Sequence, residues 1–267
     1  MQISGGERED MPKDSTANIL LVAVVLCLVC SVVVSTAAVQ LKPAQERNKL
    51  LDQKINILKV SGLWKEQANI DELFTSIESR IVDLDEGVFS DELNSESFDQ
   101  RKAAKISSMS IPLESNIDVA NINRRSNYAK VYLVKEDEKI VRFVFPVHGY
   151  GLWSTLYGYV TLEEDLNTIY ALKFYDHRET PGLGGEVDSA KWQAAWKGKK
   201  IFDDNGNIVI EVVKGNVIVG NLEENYQIDG LSGATLTSNG VTNMFHFWMG
   251  EYGFEKFIAN LKSGRAL

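Results

Sequence analysis

The sequence predicts an α+β fold, an antiparallel β-sheet with packed helices, preceded by one transmembrane helix. Three observations lead there. The 21-residue run Ile19–Val39 contains no charged side chain. Four later segments are rich in Val, Ile, Tyr and Phe and are separated by short polar or glycine-rich turns. Apolar residues recur at helical spacing on either side of those segments.

The apolar run is the first element. At about 1.5 Å per residue it reaches roughly 31 Å, the thickness of a bilayer core. A soluble helix is rarely apolar all round over that length, and a signal-peptide core usually has only about 7–15 apolar residues. The small residues Ser35-Thr36-Ala37-Ala38 look like a cleavage site, which keeps a removed signal peptide as the alternative. Cys27 and Cys30 fall inside the span and read as small apolar residues packing in lipid. A metal or cluster held by them between two subunits would need ligands from a partner. Residues 1–18 read as a disordered tail, 19–39 as the transmembrane helix, 40–66 as a helical linker and 67–267 as one water-exposed domain.

Charge leaves the orientation open. Arg8 and Lys13 precede the span, whereas Lys42, Arg47, Lys49 and Lys54 follow it. The positive-inside rule then places the domain in the cytoplasm, but the rule is weak for a long domain.

Beyond the span, Leu51, Ile55 and Leu58 share one helix face. Ile70, Leu73, Phe74, Ile77, Ile81 and Leu84 predict an amphipathic helix over residues 68–84. Residues 85–127 are polar, weakly periodic and expected to be irregular. Strands are expected at Ala129–Leu133, Ile140–Pro146, Leu156–Leu162 and Thr168–Tyr175, joined as antiparallel hairpins because the connections are short. Asp188 or Ser189 caps a short helix through Trp192 and Trp196, closed by Gly198. Asp203-Asp204-Asn205-Gly206-Asn207 reads as a hairpin turn into a strand over Ile208–Val213. Val241–Leu261 reads as helical with a break near Gly250, and Thr237-Ser238 supplies candidate N-caps for it.

Composition removes several function classes. The net charge is -9 with no basic block, so no nucleic acid is expected as a partner. The domain beyond the span has no cysteine, hence no disulfide, thiolate zinc site or all-cysteine cluster. His148, His177 and His246 show no metal-ligand spacing. No Gly-x-Ser-x-Gly elbow and no Gly-x-Gly-x-x-Gly turn occurs, so neither a hydrolase nor a nicotinamide-binding fold is indicated.

What remains is one polar string, Asp229-Gly230-Leu231-Ser232-Gly233-Ala234-Thr235. Its glycines permit tight turns, and it feeds a helix N-terminus, where free N–H groups can hold a phosphate. On spacing alone it is equally a capped loop. The string resembles the flavinylation signature of covalent-FMN proteins, Asp-x-x-Ser/Thr-Gly-Ala-Thr/Ser. Asp229, Ser232, Gly233, Ala234 and Thr235 match it residue by residue. Glu179-Thr180-Pro181-Gly182-Leu183-Gly184 and the glycine turn carrying Leu152 and Trp153 are similar to other segments of FMN-binding domains. Together with the anchor and its sequel, LKPAQERNKLLDQKINIL, these motifs resemble the NqrC family of the sodium-translocating NADH:quinone oxidoreductases over nearly the whole chain. Residues 1–10 match nothing in it.

That resemblance implies FMN fastened by a phosphoester to Thr235, installed by a separate flavin transferase. It implies cofactor contacts from Leu152, Trp153, Glu179, Thr180, Gly182 and Leu183. Lys214, between Val213 and Gly215 at a strand end, is a candidate to approach the anionic flavin or its phosphate, with a solvated lysine as the alternative. It implies an electron carrier among the other subunits of a respiratory complex, anchored in membrane lipid of the bacterial inner membrane. The implied side is periplasmic, against the charge count. Two alternatives stay open: the FMN-carrying subunit of an Rnf-type ferredoxin:NAD complex, and a membrane-anchored binding or assembly module without redox turnover.

Overall fold

The computed structural model describes residues 16–266. Of the expected tail, residues 1–15 lie outside the described residues, whereas Thr16 to Asn18 are already helical. The described residues divide into two compact units, one ending at Asp52 and one beginning at Gln53. Helix α1 (Thr16–Val60) contains the whole apolar run, and it is long and apolar enough to cross a membrane. It continues through Pro43, whose missing N–H leaves the Val39 carbonyl without its usual helical donor. Cys27 and Cys30 are free and lie on the exposed surface of this helix.

The second unit begins at Gln53 rather than at residue 67, because the end of α1 is part of its core: Ile57, Leu58 and Val60 are buried there. The expected helix over 68–84 is not one element. Helix α2 (Ile70–Phe74) stops after five residues, and strand β1 (Ile77–Asp83) follows. Buried Ile77, Ile81 and Val82 mimic helical spacing because both faces of this strand are covered. Ile77 packs with Ile57 and Leu58 on one side, and Val82 joins the larger core on the other.

Residues 85–127 hold short elements rather than a purely irregular stretch: β2 (Val88–Ser90), α3 (Gln100–Ala103), β3 (Ser110–Pro112) and β4 (Arg124–Ser126). The four expected strands follow as β5 (Tyr128–Glu136), β6 (Lys139–Tyr150), β7 (Thr155–Glu163) and β8 (Ile169–Asp176). They form an antiparallel meander within a six-stranded sheet of order β2-β1-β5-β6-β7-β8. Alternation along the strands sorts two cores. Leu133, Phe145, Val160 and Phe174 face the C-terminal helices, whereas Tyr132, Val144 and Tyr159 face the end of α1.

Helix α4 (Ala190–Ala194) is capped by the Ser189 hydroxyl, which accepts from the Trp192 N–H. The Asp203 carboxylate accepts from the N–H groups of Asn205 and Asn207 and so builds the expected turn. The strand after it is shorter than expected. Only β9 (Glu211–Val212) forms, paired in parallel with β10 (Gln227–Ile228). Helices α5 (Thr235–Trp248) and α6 (Glu255–Lys262) close the sheet, with the expected break at Gly250.

Helix α5 lies very close to the end of β6. A side chain at Gly149 would meet Met244, and one at Gly240 would run into the carbonyl oxygen of Tyr150. At the far end of α5 the Trp248 indole N–H donates to the His148 carbonyl at 2.7 Å. The His148 ring lies 5.4 Å from Tyr157 and 4.8 Å from Trp248 between centroids. Burial, with a smaller push from the Arg101 charge, takes its pKa down to about 3. His148 should therefore stay neutral, with ring proton shifts flat from pH 8 to pH 5 in an NMR titration. The unfolded chain takes up this proton near its ordinary pKa of about 6.5. The stability contributed by the neutral ring is complete above that pH and declines as pH falls from there toward 3.

Candidate functional site

Three loops meet beside the N-terminus of α5. The first is the polar string that enters the helix. Leu231 to Ala234 form a turn closed by the Ala234 N–H on the Leu231 carbonyl, 3.0 Å, with Gly233 at φ +72°. A Cβ on Gly233 would stand 2.9 Å from a Leu183 methyl and would push that side chain aside. Gly230 lies against the backbone of Val213 and donates its N–H to the Gly215 carbonyl at 2.7 Å.

Helix α5 starts at Thr235, six residues before the expected Val241, and Thr237 and Ser238 are inside it rather than capping it. Ala234 stands at the N-cap and has no side-chain atom to accept from the first turn. The two inner hydroxyls are spent on packing. Thr237 is wholly buried and donates to Glu179 Oε2 at 2.7 Å. Ser238 Oγ accepts from the Leu231 N–H at 3.1 Å. Thr235 and Ser232 are exposed. Thr235 lines a small cleft with Val213, Lys214, Gly215, Gly230 and Asn239.

Asp229 does not face that helix end. Its carboxylate accepts from the Val217 N–H at 2.7 Å, and its carbonyl accepts from the Trp192 indole N–H at 2.8 Å. It therefore holds neighbouring segments onto the string. Nothing in the spacing of Trp192 or Val217 signals this, because both contacts join distant segments.

The second loop follows β8. Thr180 is exposed, and its carbonyl accepts from the N–H groups of Leu183 and Gly185. Gly182 takes φ +76°. This geometry directs the Leu183 side chain outward, 43% exposed, against Gly233 of the first loop. The third loop is the turn from β6 to β7, where Leu152 and Trp153 are exposed, Trp153 at 65%. Trp153 is thus not an anchor into the core.

Glu179 joins all of this and is itself 5% exposed. Its Oε1 accepts from the N–H groups of Leu152, Trp153 and Ser154 at 3.1, 2.9 and 3.2 Å, and Oε2 accepts from the Thr237 hydroxyl. Burial alone would raise its pKa. The Thr237 hydroxyl and the three backbone donors outweigh burial and hold the carboxyl below its ordinary value. Gly151 and Gly184 make room, since a Cβ at either would come within 2.7 Å of a Glu179 oxygen.

The expected cofactor residues thus fall into two groups. Thr235 and Lys214 line one cleft, while Leu152, Trp153 and Leu183 offer apolar surface held by adjoining loops. Glu179 is turned inward onto backbone donors. Thr237, Ser154 and Trp192 were not among the expected residues. Ser154 Oγ accepts from the Arg178 N–H at 2.7 Å and ties the third loop to the second.

Comparison with known proteins identifies the arrangement. The FMN-binding domain model matches residues 151–250, which include all three loops. NqrC of the Na(+)-translocating NADH-quinone reductase of Pseudomonas aeruginosa is 48% identical over 258 residues, covering 95% of this chain and 99% of the relative. The chain belongs to this NqrC family. The corresponding protein of Vibrio vulnificus is 47% identical over 252 residues, 94% of this chain and 97% of the relative. The crystal structure of Shewanella oneidensis NqrC superimposes with a TM-score of 0.74 at 37% identity, covering 82% of this chain and 99% of that one. The counterpart from Parabacteroides distasonis gives 0.63 at 28% identity, covering 82% of this chain and 96% of that one. Membership agrees with the α+β fold and the single apolar helix, and it favours neither the Rnf-type protein nor a module without redox turnover.

Proposed function

We propose that this NqrC-family protein is a membrane-anchored electron carrier holding FMN through a phosphoester on Thr235, in a complex that passes electrons from NADH to quinone and exports Na+. One observation carries the assignment. Thr235 is the exposed hydroxyl at an α5 N-terminus that no side chain caps. An uncapped helix end presents free N–H groups and a positive dipole, both suited to a phosphate. Lys214 in the same cleft adds a cation, and Leu152, Trp153 and Leu183 give apolar surface for a flat ring.

FMN supplies the redox chemistry when bound, and the chain's residues hold, orient and shield it. In the proposed attachment, the Thr235 hydroxyl attacks the flavin-side phosphorus of FAD on a separate flavin transferase. A P–O bond to threonine forms, the pyrophosphate bond breaks, AMP leaves, and the hydroxyl proton passes to solvent. Mass spectrometry of the Thr235 peptide tests this: the reading requires an FMN adduct there, and an unmodified peptide from the active complex defeats it.

The domain is proposed to face the periplasm, with α1 in the inner membrane and its apolar surface in lipid. External protease should then digest the domain in spheroplasts with intact inner membranes. Digestion only after lysis would place it in the cytoplasm.

A further inference from the structure

Glu179 is the one acid around which the three loops are assembled. An ionised carboxylate has about four acceptor sites. Three backbone N–H groups and one hydroxyl fill them. No acceptor capacity is left for a ligand. Every group it binds belongs to the site: the turn that displays Leu152 and Trp153, and Thr237, two residues beyond Thr235 on α5. Gly151 and Gly184 leave the space the carboxylate occupies, since a Cβ at either would come within 2.7 Å of one of its oxygens.

We propose that Glu179 is a positioning residue that locks the Leu152–Trp153 turn to the first turn of α5 and thereby sets where the ring of a flavin on Thr235 rests. The inference builds on the flavin attachment proposed above. Its chemistry is that of an anion surrounded by inward-pointing donors. A glutamine of the same shape can satisfy only some of them. Turned toward the backbone, its NH2 group would face N–H donors and leave them unpaired. Turned toward Thr237, it would donate to the hydroxyl oxygen, leaving that O–H without its carboxylate acceptor and the turn held by a neutral, weaker acceptor.

The test uses the full-length protein in its complex. Glu179→Gln should still fold and still carry covalent flavin, because Thr235 is exposed and takes no part in the hydrogen bonds to Glu179. The flavin absorption spectrum and midpoint potential should shift, and Thr237→Val should shift them in the same direction by less. In a Thr235→Ala background, which has no flavin, Glu179→Gln should speed amide hydrogen exchange at Leu152, Trp153 and Ser154 by about tenfold or more. Unchanged exchange at these amides would overturn the lock. Faster exchange with an unchanged flavin spectrum and potential would make Glu179 a purely structural residue and also overturn the inference. A wild-type complex without flavin on Thr235 would defeat the parent reading and this one with it, whatever the exchange result.

Discussion

Replacing Thr235 with alanine should give a folded, colourless protein and a complex that no longer reduces quinone. The side chain is exposed on the first turn of α5, so its loss opens no cavity and removes no internal hydrogen bond among those described. Stability should stay within about 0.5 kcal/mol of wild type, as for other exposed positions. Flavin loss should be complete because no neighbouring hydroxyl replaces it. Thr237 is buried and committed to Glu179, and Ser238 is committed to the Leu231 N–H. Ser232 is exposed but lies in the turn, before the helix end that would receive the phosphate. Thr235→Ser should retain part of the flavin. In-gel fluorescence after denaturation reads both variants, and a fluorescent Thr235→Ala band would move the attachment elsewhere.

The second large effect is expected at Gly240. On an ordinary exposed helix, glycine to alanine gains about 1 kcal/mol. Here the new methyl would run into the Tyr150 carbonyl oxygen and stand 3.1 Å from the Gly151 Cα. Both are backbone atoms at the base of the Trp153 turn and have little freedom to yield. Overpacking of this kind costs about 1–3 kcal/mol, and forcing helix and strand apart also weakens the contacts beside it. The clash is with backbone, so the cost should fall in the upper part of that range, and Gly240→Ala should lose up to about 2 kcal/mol net. For a unit of this size that lowers Tm by up to about 8 °C. Gly240→Val should be worse, and its flavin spectrum should change as the turn shifts. A thermal melt of Gly240→Ala at or above wild type would mean that α5 does not lie this close.

How much was readable in advance follows from range. The meander β5 to β8 was visible because β-branched and aromatic runs alternate with short turns, a local pattern. The apolar run within α1 and the Thr235 string were local as well. Ile77, Ile81 and Leu84 misled because their spacing fits a helix; Ile77 and Ile81 share one face of β1, whereas Leu84, just past its end, joins the larger core on the other side. The parallel pair β9 and β10 consists of two strands of two residues each, too short to leave a period-2 pattern. Within the site, the glycines and the acceptor threonine could be named beforehand. The inward turn of Glu179, and its link to Thr237 across 58 residues, could not.

The burial of Thr237 and Ser238 also bears on the order of events during biogenesis. In a nascent, extended chain the hydroxyls of Thr235, Thr237 and Ser238 are chemically alike and equally reachable. Once α5 has docked, two of them are withdrawn and one stays at the surface. Under the proposed attachment, folding withdraws Thr237 and Ser238, and a maturation enzyme acting on the finished domain has only Ser232 in the preceding turn to tell apart from Thr235. A phosphate at the bare helix end would in turn contribute about 0.3–1 kcal/mol through the dipole. A phosphate on Thr235, as proposed, would therefore favour the docked conformation of α5 in which Thr237 and Ser238 are withdrawn.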